Sequence, residues 1–228
     1  MTGALTGSVR PPHDATVTTE PIAGFHLVRH PLADLKVSAL RDQATPVPEF
    51  RRQLQELSQL VAYEALRDFE VLPVTVQTPL GEAVGARPAR PLVLVPVLRA
   101  GLAMADGILR MFPTAAVGHI GMFRDEETLE PVHYYFRLPP GAPGAHVLLL
   151  DPMLATGNSL AAAADLLKKE GIARMTCACI IASRQGVERL RAAHPALPIF
   201  GAALDEALDA RGYITPGLGD AGDRIFGT

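Results

Sequence analysis

The sequence is poor in cysteine and carries no strong charge of either sign. Cys177 and Cys179 are its only cysteines, and the formal net charge of the 228 residues is −3. This slightly acidic balance argues against a nucleic acid or an anionic membrane as partner. Both cysteines lie in Met175–Ala182 (MTCACIIA), a stretch typical of a buried strand, with no cluster of His or Cys beside it to complete a metal site. We therefore expect two buried thiols and a reducing compartment.

Long apolar runs are also missing. Nowhere do about 18 apolar residues follow one another, so no membrane-spanning helix is expected. The N-terminus, MTGALTGSVRPPHDATVTTEP, contains no apolar stretch of the kind that a secretion signal needs. Residues 1–24 are rich in Thr, Pro and Gly and lack periodicity. We expect a loose N-terminal tail over 1–24, a single domain over 25–228, and a cytoplasmic protein.

Apolar segments of two kinds alternate along the rest of the chain. Hydrophobic residues make up 48% of the sequence, which is enough for a core without disulfides. Residues at helical spacing predict helices, and short apolar runs bounded by turns predict strands buried on both faces. The predicted helices are Glu49–Phe69, Leu102–Met111, one from about 160 to 169, and Val187–His194; the predicted strands are Val71–Thr78, Pro91–Leu98, Val117–Phe123, His146–Leu150, Met175–Ala182 and Ile199–Leu204. This alternation predicts an α/β fold with a parallel sheet and helices on both faces.

Two segments depart from this pattern. Pro96 lies within the strand Pro91–Leu98 and has no N–H to give to a sheet, so it predicts a sheet edge or a bend. The segment Arg124–Pro140 (RDEETLEPVHYYFRLPP) is charged and aromatic, with Pro131 in its middle. It predicts a projecting hairpin, or flap.

The strongest chemical signal is the sequence LLLDPMLATGNS, which runs from a predicted strand into a predicted helix. Open parallel sheets bind ligands at the carboxyl ends of their strands. Thr156 and Ser159 carry hydroxyls, and Gly157 permits a tight turn. The next helix offers free N–H groups and about half a positive charge at its N-terminus. These features predict a phosphate-binding loop.

Asp151, at the start of this loop, does not suit phosphate alone. A carboxylate repels phosphate, but it accepts hydrogen bonds from sugar hydroxyls and stabilises a cationic sugar. The loop therefore predicts a site for a ribose that carries a phosphate. The alternative is an ordinary connection in which Asp or Thr caps the helix. The loop has neither the Gly-Lys-Ser/Thr of a P-loop nor the pattern of a dinucleotide-binding loop, which disfavours nucleoside kinases and dinucleotide enzymes.

LLLDPMLATGNS resembles the phosphoribosyl-diphosphate signature of type I phosphoribosyltransferases. Within it, the residues Pro-Met-Leu-Ala that follow Asp151 resemble those of the uracil phosphoribosyltransferase branch. Three further segments resemble that branch in order and spacing: VPVLRAGLAMADG from Val95, GMFRDEETLEPV from Gly121 and GYITPGLGDAGDRIFGT from Gly212. The resemblance covers nearly the whole chain after Leu27. It implies a parallel-sheet type I phosphoribosyltransferase core with helices on both faces. It also implies a β-hairpin flap at about 121–140, a small hood from the terminal segments and a uracil-binding loop at about 212–223.

The resemblance implies a reaction in pyrimidine salvage, in which uracil and phosphoribosyl diphosphate give UMP and diphosphate. The residues that it implies for catalysis are Arg124, Asp151 and Asp220. Those implied for phosphoribosyl diphosphate are Arg99, Arg124, Asp151, Pro152, Met153, Leu154, Ala155, Thr156, Gly157, Asn158, Ser159 and Asp220. Uracil would be read by Ile214, Gly219, Asp220 and Ala221, largely through backbone groups. Arginine suits the diphosphate because its guanidinium binds phosphate oxygens in pairs and stays charged.

The resemblance also implies partners beyond the two substrates. Mg²⁺ would be carried by the diphosphate rather than held in a direct protein site. A homodimer or higher homo-oligomer is implied, and GTP is an effector of some members. Two other functions stay open at this point: an RNA-binding regulator that retains the sugar-phosphate loop, and a phosphoribosyltransferase for another base. The acidic net charge disfavours the regulator, and the C-terminal loop disfavours the other base.

Asn158 departs from the resemblance, since glycine is usual at that place. Asparagine tolerates a positive φ better than most residues, and its amide can donate to phosphate. We therefore expect phosphate binding to survive. Thr215, where the branch often has Ile or Val, is a smaller departure.

Overall fold

The computed structural model describes residues 22–124 and 131–228. The helices are α1 (Pro31–Arg41), α2 (Val47–Ala65), α3 (Gly101–Met111), α4 (Asn158–Lys169), α5 (Arg184–Ala193) and α6 (Ala221–Phe226). The strands are β1 (Phe25–Leu27), β2 (Val71–Thr78), β3 (Gly81–Pro88), β4 (Leu92–Leu98), β5 (Ala116–Val117), β6 (His119–Arg124), β7 (Pro131–Arg137), β8 (His146–Leu150), β9 (Met153–Leu154), β10 (Arg174–Ala178), β11 (Ile181–Ser183), β12 (Ile199–Gly201), β13 (Ala203–Asp205), β14 (Ala207–Leu208) and β15 (Ile214–Thr215). Most of the predicted tail (1–21) and the tip of the predicted flap (125–130) lie outside the described residues.

A mainly parallel sheet forms the centre of the fold. Its order is β1-β12-β10-β8-β4-β6-β7, with β5 paired to β4, and all of these pairs are parallel except β6 with β7. Side chains alternate between two cores along β4: Leu92 and Leu94 join the core of α2 and α3, whereas Val93 and Val95 join the core of α4 and α5. Each such burial contributes roughly 1.5–3 kcal/mol. The predicted fold, a parallel sheet with helices on both faces, is confirmed.

Strand β4 corrects one of the two alternatives predicted from Pro96, a position at an edge. The strand is central rather than at an edge, because β8 pairs along one side and β5 and β6 pair along the other. On that second side, β5 pairs with Val93 and Leu94, and β6 pairs with Val97 and Leu98. Pro96 lies where β4 passes from one partner to the next, so its missing N–H falls at a natural break.

Two predicted strands are each divided in the structure. The segment Met175–Ala182 forms β10 and β11, and Ile199–Leu204 forms β12 and β13. The first strand of each pair belongs to the central sheet, and the second belongs to a three-stranded sheet of order β13-β11-β9. Hydrophobicity is continuous across both breaks, so the sequence pattern could not show them.

Shared carbonyl oxygens mark the steps between the two sheets. The Pro152 oxygen accepts from the N–H groups of Ile180 and Ile181, at 3.1 and 3.0 Å. The Ile180 oxygen accepts in the same way from Ala202 and Ala203, at 3.0 and 3.1 Å. The small sheet therefore continues the central one at its carboxyl end. Through β9 it includes part of the predicted sugar-phosphate loop.

Helix α2 confirms the predicted long helix with an earlier end. Phe50, Leu54, Leu57 and Val61 are fully buried on one face, as their spacing predicts. The helix ends at Ala65 and not near residue 69, because the chain then turns toward β2. None of the described helices is long and apolar enough to cross a membrane.

The terminal segments come together, as the predicted hood requires. Arg51 of α2 donates from Nη2 to the Ile225 oxygen of α6 at 2.8 Å. Arg224 of α6 donates to the Asp42 oxygen at 2.6 Å, and its guanidinium lies 4.2 Å from the centre of the Phe50 ring. These contacts hold the C-terminal helix against the N-terminal helices.

Some elements had no sequence prediction. The pattern predicts nothing before Pro48, yet the chain forms β1 and α1 there. Strand β3 (GEAVGARP) contains two glycines and a proline, and only its antiparallel pairing with β2 makes it a strand. Helix α6 also had no sequence prediction, and it lies within the glycine-rich C-terminal segment.

Candidate active site

One open cleft of about 900 Å³ lies at the carboxyl end of the central sheet. Four stretches line it: the turn after β4, the end of β6, the loop after β8, and segment 210–222. It thus brings together predicted site residues that are far apart in the sequence, namely Arg99, Asp151, Met153, Ala155, Gly219, Asp220 and Ala221. A smaller pocket adjoins it, lined by Asp151, Met153, Leu154, Ala155, Thr156, Gly157, Ser159 and Leu160.

The smaller pocket is formed by the predicted sugar-phosphate loop. Gly157 has φ +80° directly before α4, and a Cβ there would lie 2.6 Å from the Gly186 oxygen. Both conditions require glycine at this position. The N-terminus of α4 then faces the pocket with its unpaired N–H groups, which suits an anion.

The departure at Asn158 is structurally mild. The left-handed residue is Gly157, and Asn158 is the first residue of α4, so the sequence argument from positive φ does not apply to it. Its Oδ1 accepts from Arg189 Nε of α5 at 3.0 Å. The side chain therefore ties the loop to α5 from the exposed side.

We expect Asn158→Gly to remain active. The change removes one exposed hydrogen bond, about 0.5–1.5 kcal/mol, and places glycine in the first turn of a helix, about 1 kcal/mol at most. We expect kcat and the KM for phosphoribosyl diphosphate within about threefold of wild type. Steady-state kinetics measure both values, and loss of activity would give Asn158 a functional role that glycine cannot fill.

Asp151 lies between the two pockets and lines both. Its Oδ1 accepts from the Met153 N–H at 3.1 Å. Burial raises the pKa of Asp151 to about 7, and the Met153 hydrogen bond lowers it only in part. A carboxylate that has lost much of its water is ready to accept hydrogen bonds from a ligand's hydroxyls.

Arg99 follows β4 and stands at the mouth of the cleft. Its Nη2 lies 3.5 Å from Asp223 Oδ1, and its guanidinium lies 5.6 Å from the centre of the Phe226 ring. Its side chain is 58% exposed, so the guanidinium can reach a ligand in the cleft. The side chain of Arg124, at the end of β6, lies outside the described residues, and its role stays a prediction.

The predicted uracil loop closes the other side of the cleft. Asp220 caps α6 by accepting from the Asp223 N–H at 3.0 Å, and it accepts from the Tyr213 hydroxyl at 3.4 Å. The negative charge of Asp220 raises the pKa of Tyr213. Gly219 lines the cleft with φ +76° and presents its backbone there. Ile214, another predicted uracil-binding residue, is buried, pairs with Leu208 and is not among the described residues that line the cleft.

Some residues that line the cleft were not among the predicted site residues. Tyr213, Arg211, Met122 and Phe123 are examples. Tyr213 lies within the predicted uracil loop and Arg211 directly precedes it, so both could have been included from the sequence. Met122 and Phe123 enter through the pairing of β6 with β4, which the sequence does not show. Among the residues that the structure describes, no group of three or more His, Cys, Asp or Glu is placed to hold a metal.

A loop whose geometry suits an anion, a desolvated carboxylate and a glycine-lined backbone surface thus lie together at the carboxyl end of a parallel sheet. With the loop sequence DPMLATGNS, this arrangement defines a phosphoribosyltransferase of the α/β type. A family model described as uracil phosphoribosyltransferase matches residues 27–228. The chain belongs to the uracil phosphoribosyltransferase family and is an enzyme of the glycosyltransferase class.

Individual relatives agree with the family model. The uracil phosphoribosyltransferase of Halalkalibacterium halodurans is 50% identical over 200 residues, which cover 87% of this chain and 96% of the relative. That of Streptococcus pyogenes serotype M5 is 49% identical over 203 residues, 89% of this chain and 97% of the relative. The solved structure of the AQ2163 protein from Aquifex aeolicus has a sequence identity of 39% and a TM-score of 0.83. The match covers 89% of this chain and 97% of the AQ2163 chain. The fold and the family that the sequence predicts are confirmed.

Proposed function

We propose that this protein transfers the phosphoribosyl group of phosphoribosyl diphosphate to N1 of uracil, giving UMP and diphosphate in pyrimidine salvage. The observation that carries the proposal is the single cleft that joins the sugar-phosphate loop to the C-terminal segment 210–222. The bond between C1′ and the diphosphate oxygen breaks, and its electron pair leaves with the diphosphate. Uracil N1 forms the new bond to C1′ and gives up its proton.

The loop from Ala155 to Ser159 holds the 5′-phosphate in this proposal. The N-terminus of α4 supplies N–H donors and about half a positive charge there. Gly157 keeps the loop in the left-handed turn that exposes these donors. The side chains of Thr156 and Ser159 line the same pocket and can add hydroxyl donors.

Asp151 binds the ribose hydroxyls and stabilises positive charge on the sugar. The C1′ carbon takes on cationic character as the diphosphate leaves, and a nearby carboxylate lowers the energy of that state. The support is its place between the two pockets, next to the phosphate loop. In the free enzyme its raised pKa keeps it partly neutral near pH 7, and ribose hydroxyls would favour the ionised form.

The diphosphate leaving group is bound by Arg99 and Arg124. Asp220 faces the same cleft and would interact with the Mg²⁺ that accompanies the diphosphate. Asp151 and Asp220 both offer carboxylate oxygens, the ligand type that Mg²⁺ prefers. The chemistry that Mg²⁺ would supply there is neutralisation of the charge on the diphosphate. The arginines orient the diphosphate for departure through paired hydrogen bonds.

Uracil is read by backbone groups of the C-terminal loop, at Ile214, Gly219 and Ala221. Support comes from Gly219, whose positive φ turns its backbone toward the cleft without a side chain. Ring position four carries a hydrogen-bond acceptor in uracil and a hydrogen-bond donor in cytosine. A backbone reader therefore leaves a buried polar group unpaired with cytosine, a strong basis for discrimination.

A base panel tests this function. With phosphoribosyl diphosphate and Mg²⁺ we expect UMP from uracil, and turnover of cytosine lower by about 10⁴-fold or more. Product detection by chromatography measures both reactions and can include hypoxanthine. Turnover of hypoxanthine but not uracil would contradict the proposal. Addition of GTP to the same assay tests whether GTP is an effector of this enzyme, as it is of some members of the family.

We further propose that the protein forms a homodimer. The hairpin β2–β3 supports this, because it is a separate two-stranded sheet whose apolar side chains are exposed. Leu80 at its turn is fully exposed, and Val84 is 83% exposed. Exposed apolar groups of this kind mark interaction surfaces, and two-fold dimers are the commonest symmetric assemblies. Light scattering should give twice the mass of one chain.

A further inference from the structure

A buried ion pair lies behind the C-terminal loop. Asp205, the last residue of β13, has a side chain with no exposed surface. Arg41, the last residue of α1, donates to both of its oxygens: Nη2 to Oδ1 at 2.6 Å and Nη1 to Oδ2 at 2.8 Å. A buried carboxylate needs such a bidentate partner, because an unpaired charge in the interior is strongly destabilising.

Both members of this pair also hold Gly217. The Gly217 N–H donates to Asp205 Oδ2 at 2.8 Å, and its oxygen accepts from Arg41 Nη1 at 2.8 Å. Gly217 has φ +61°, and a Cβ there would lie 2.0 Å from the Ile214 oxygen. The tight turn within the C-terminal loop is therefore fixed at both of its backbone polar groups.

The same pair is connected to the sugar-phosphate loop. Asp205 is the register partner of Ser183 in the small sheet, and β11 pairs on its other side with β9. Ser183 Oγ donates to the Ala155 oxygen at 2.6 Å. The three paired strands β9, β11 and β13 thus connect the phosphate loop to Asp205, which holds Gly217.

We propose that Asp205 and Arg41 are positioning residues that set the C-terminal loop at a fixed distance from the sugar-phosphate loop and thereby determine the affinity for the base. The proposal rests on the proposed function, in which this loop reads uracil. Neither residue is among the described residues that line the cleft, so both act through Gly217. Recognition by backbone groups needs placement within about 0.5 Å, which short, glycine-rich segments do not hold unaided.

Steady-state kinetics distinguish a positioning role of this ion pair from a merely stabilising one. A pair that only stabilises the fold changes the amount of active enzyme, and it shifts both substrate affinities alike or neither. A pair that positions the base loop changes the KM for uracil and spares that for phosphoribosyl diphosphate. The two constants, measured on the same preparation, therefore distinguish the roles.

The test uses Asp205→Asn, Arg41→Gln and the double variant in the full chain. We expect each single variant to raise the KM for uracil about 10- to 100-fold, as expected for lost charged hydrogen bonds. The KM for phosphoribosyl diphosphate should stay within about threefold. Because the two residues act as one unit, the double variant should be no worse than the more affected single variant. Independent effects that add in the double variant, or an unchanged KM for uracil, would overturn the proposal.

Glu56→Gln is the matched control. It removes the carboxylate that pairs with Lys36 of α1 and with Arg52 of α2, and so breaks another ion pair made by α1, one that joins α1 to α2 rather than to the C-terminal loop. We expect no change in either KM. Arg41→Lys keeps the positive charge and one donor nitrogen. Its affinity for uracil should therefore lie between those of Arg41→Gln and wild type, even if Arg41→Gln folds poorly. Equal losses of uracil affinity in Arg41→Lys and Arg41→Gln, with equal losses of melting temperature, would also overturn the proposal.

Gly219→Val distinguishes failure of this inference from failure of the proposed function. A β-branched residue is strained at φ +76°, so the variant disturbs the part of the loop that lines the cleft. If Gly219→Val raises the KM for uracil and Asp205→Asn does not, only the positioning role is wrong. If Gly219→Val leaves that KM unchanged, the base binds elsewhere and both proposals are wrong.

Discussion

Replacement of Asp151 by asparagine is expected to lower kcat by about 100-fold or more while phosphoribosyl diphosphate still binds. Asparagine has the same shape and can still contact the ribose hydroxyls. It lacks the negative charge that stabilises a cationic C1′ as the diphosphate leaves. The loss therefore falls on the transition state more than on substrate binding.

Two measurements check this expectation. Steady-state kinetics give kcat, and calorimetric titration gives the affinity for phosphoribosyl diphosphate in the absence of uracil. Asp106→Asn is a suitable control, because Asp106 is an exposed acid on α3. Near-normal kcat in Asp151→Asn would remove the proposed role of this carboxylate.

The pH dependence of the same variant follows from the pKa of Asp151, which burial raises to about 7. Below that pH the carboxyl is neutral and accepts hydroxyl hydrogen bonds less well. In wild type, kcat/KM for phosphoribosyl diphosphate should therefore rise with pH and level off above about pH 7, whereas Asp151→Asn should lack this rise.

The stability of the ligand-free enzyme should show the opposite trend. The folded-state pKa lies above the ordinary value of 3.8, so the folded protein favours the neutral form. The stability from this group is present at pH 4 and is lost as the pH rises through about 7. The melting temperature of Asp151→Asn relative to wild type should therefore increase by a few degrees between pH 5 and pH 8.

Replacement of Gly186 by alanine is expected to displace the phosphate loop, because Gly186 of α5 packs against the backbone of that loop. An added Cβ would lie 2.2 Å from the Ala155 oxygen and 2.6 Å from the Leu154 oxygen, and both atoms belong to backbone. Either the phosphate loop or α5 must move. Overpacking of this kind costs about 1–3 kcal/mol, whereas alanine in a helix is favoured over glycine by only about 1 kcal/mol. The clash outweighs the gain in helix propensity.

The expected result is a KM for phosphoribosyl diphosphate raised about tenfold, with a melting temperature lower by several degrees. Gly186 is not among the described residues that line either pocket, so the change acts only through the position of the loop. Gly144→Ala is the matched control, since a Cβ at Gly144 meets open space. If Gly186→Ala and Gly144→Ala had the same KM and melting temperature, the packing of α5 would not set the phosphate loop.

The local patterns that predicted the fold were contiguous in the chain. Fully apolar runs predicted β4 and β8, and helical spacing predicted α2 and α4. The phosphate loop was predicted for the same reason, because its hydroxyls, its glycine and the helix that follows are neighbours in sequence. Elements that depend on a partner, such as β3 beside β2 and the divided strands β10–β11 and β12–β13, were missed or merged.

The sequence by itself determined the parallel α/β fold and, through four separated motifs, the family, and it predicted the sugar-phosphate loop. Only the tertiary structure decided how the parts of the site meet. Arg41 and Asp205 are 164 residues apart in the chain, and their joint hold on Gly217 has no local pattern. The raised pKa of Asp151 likewise arises from burial among distant segments. Periodicity and composition report on neighbours in the chain, whereas ion pairing and desolvation depend on distances in space that only folding creates.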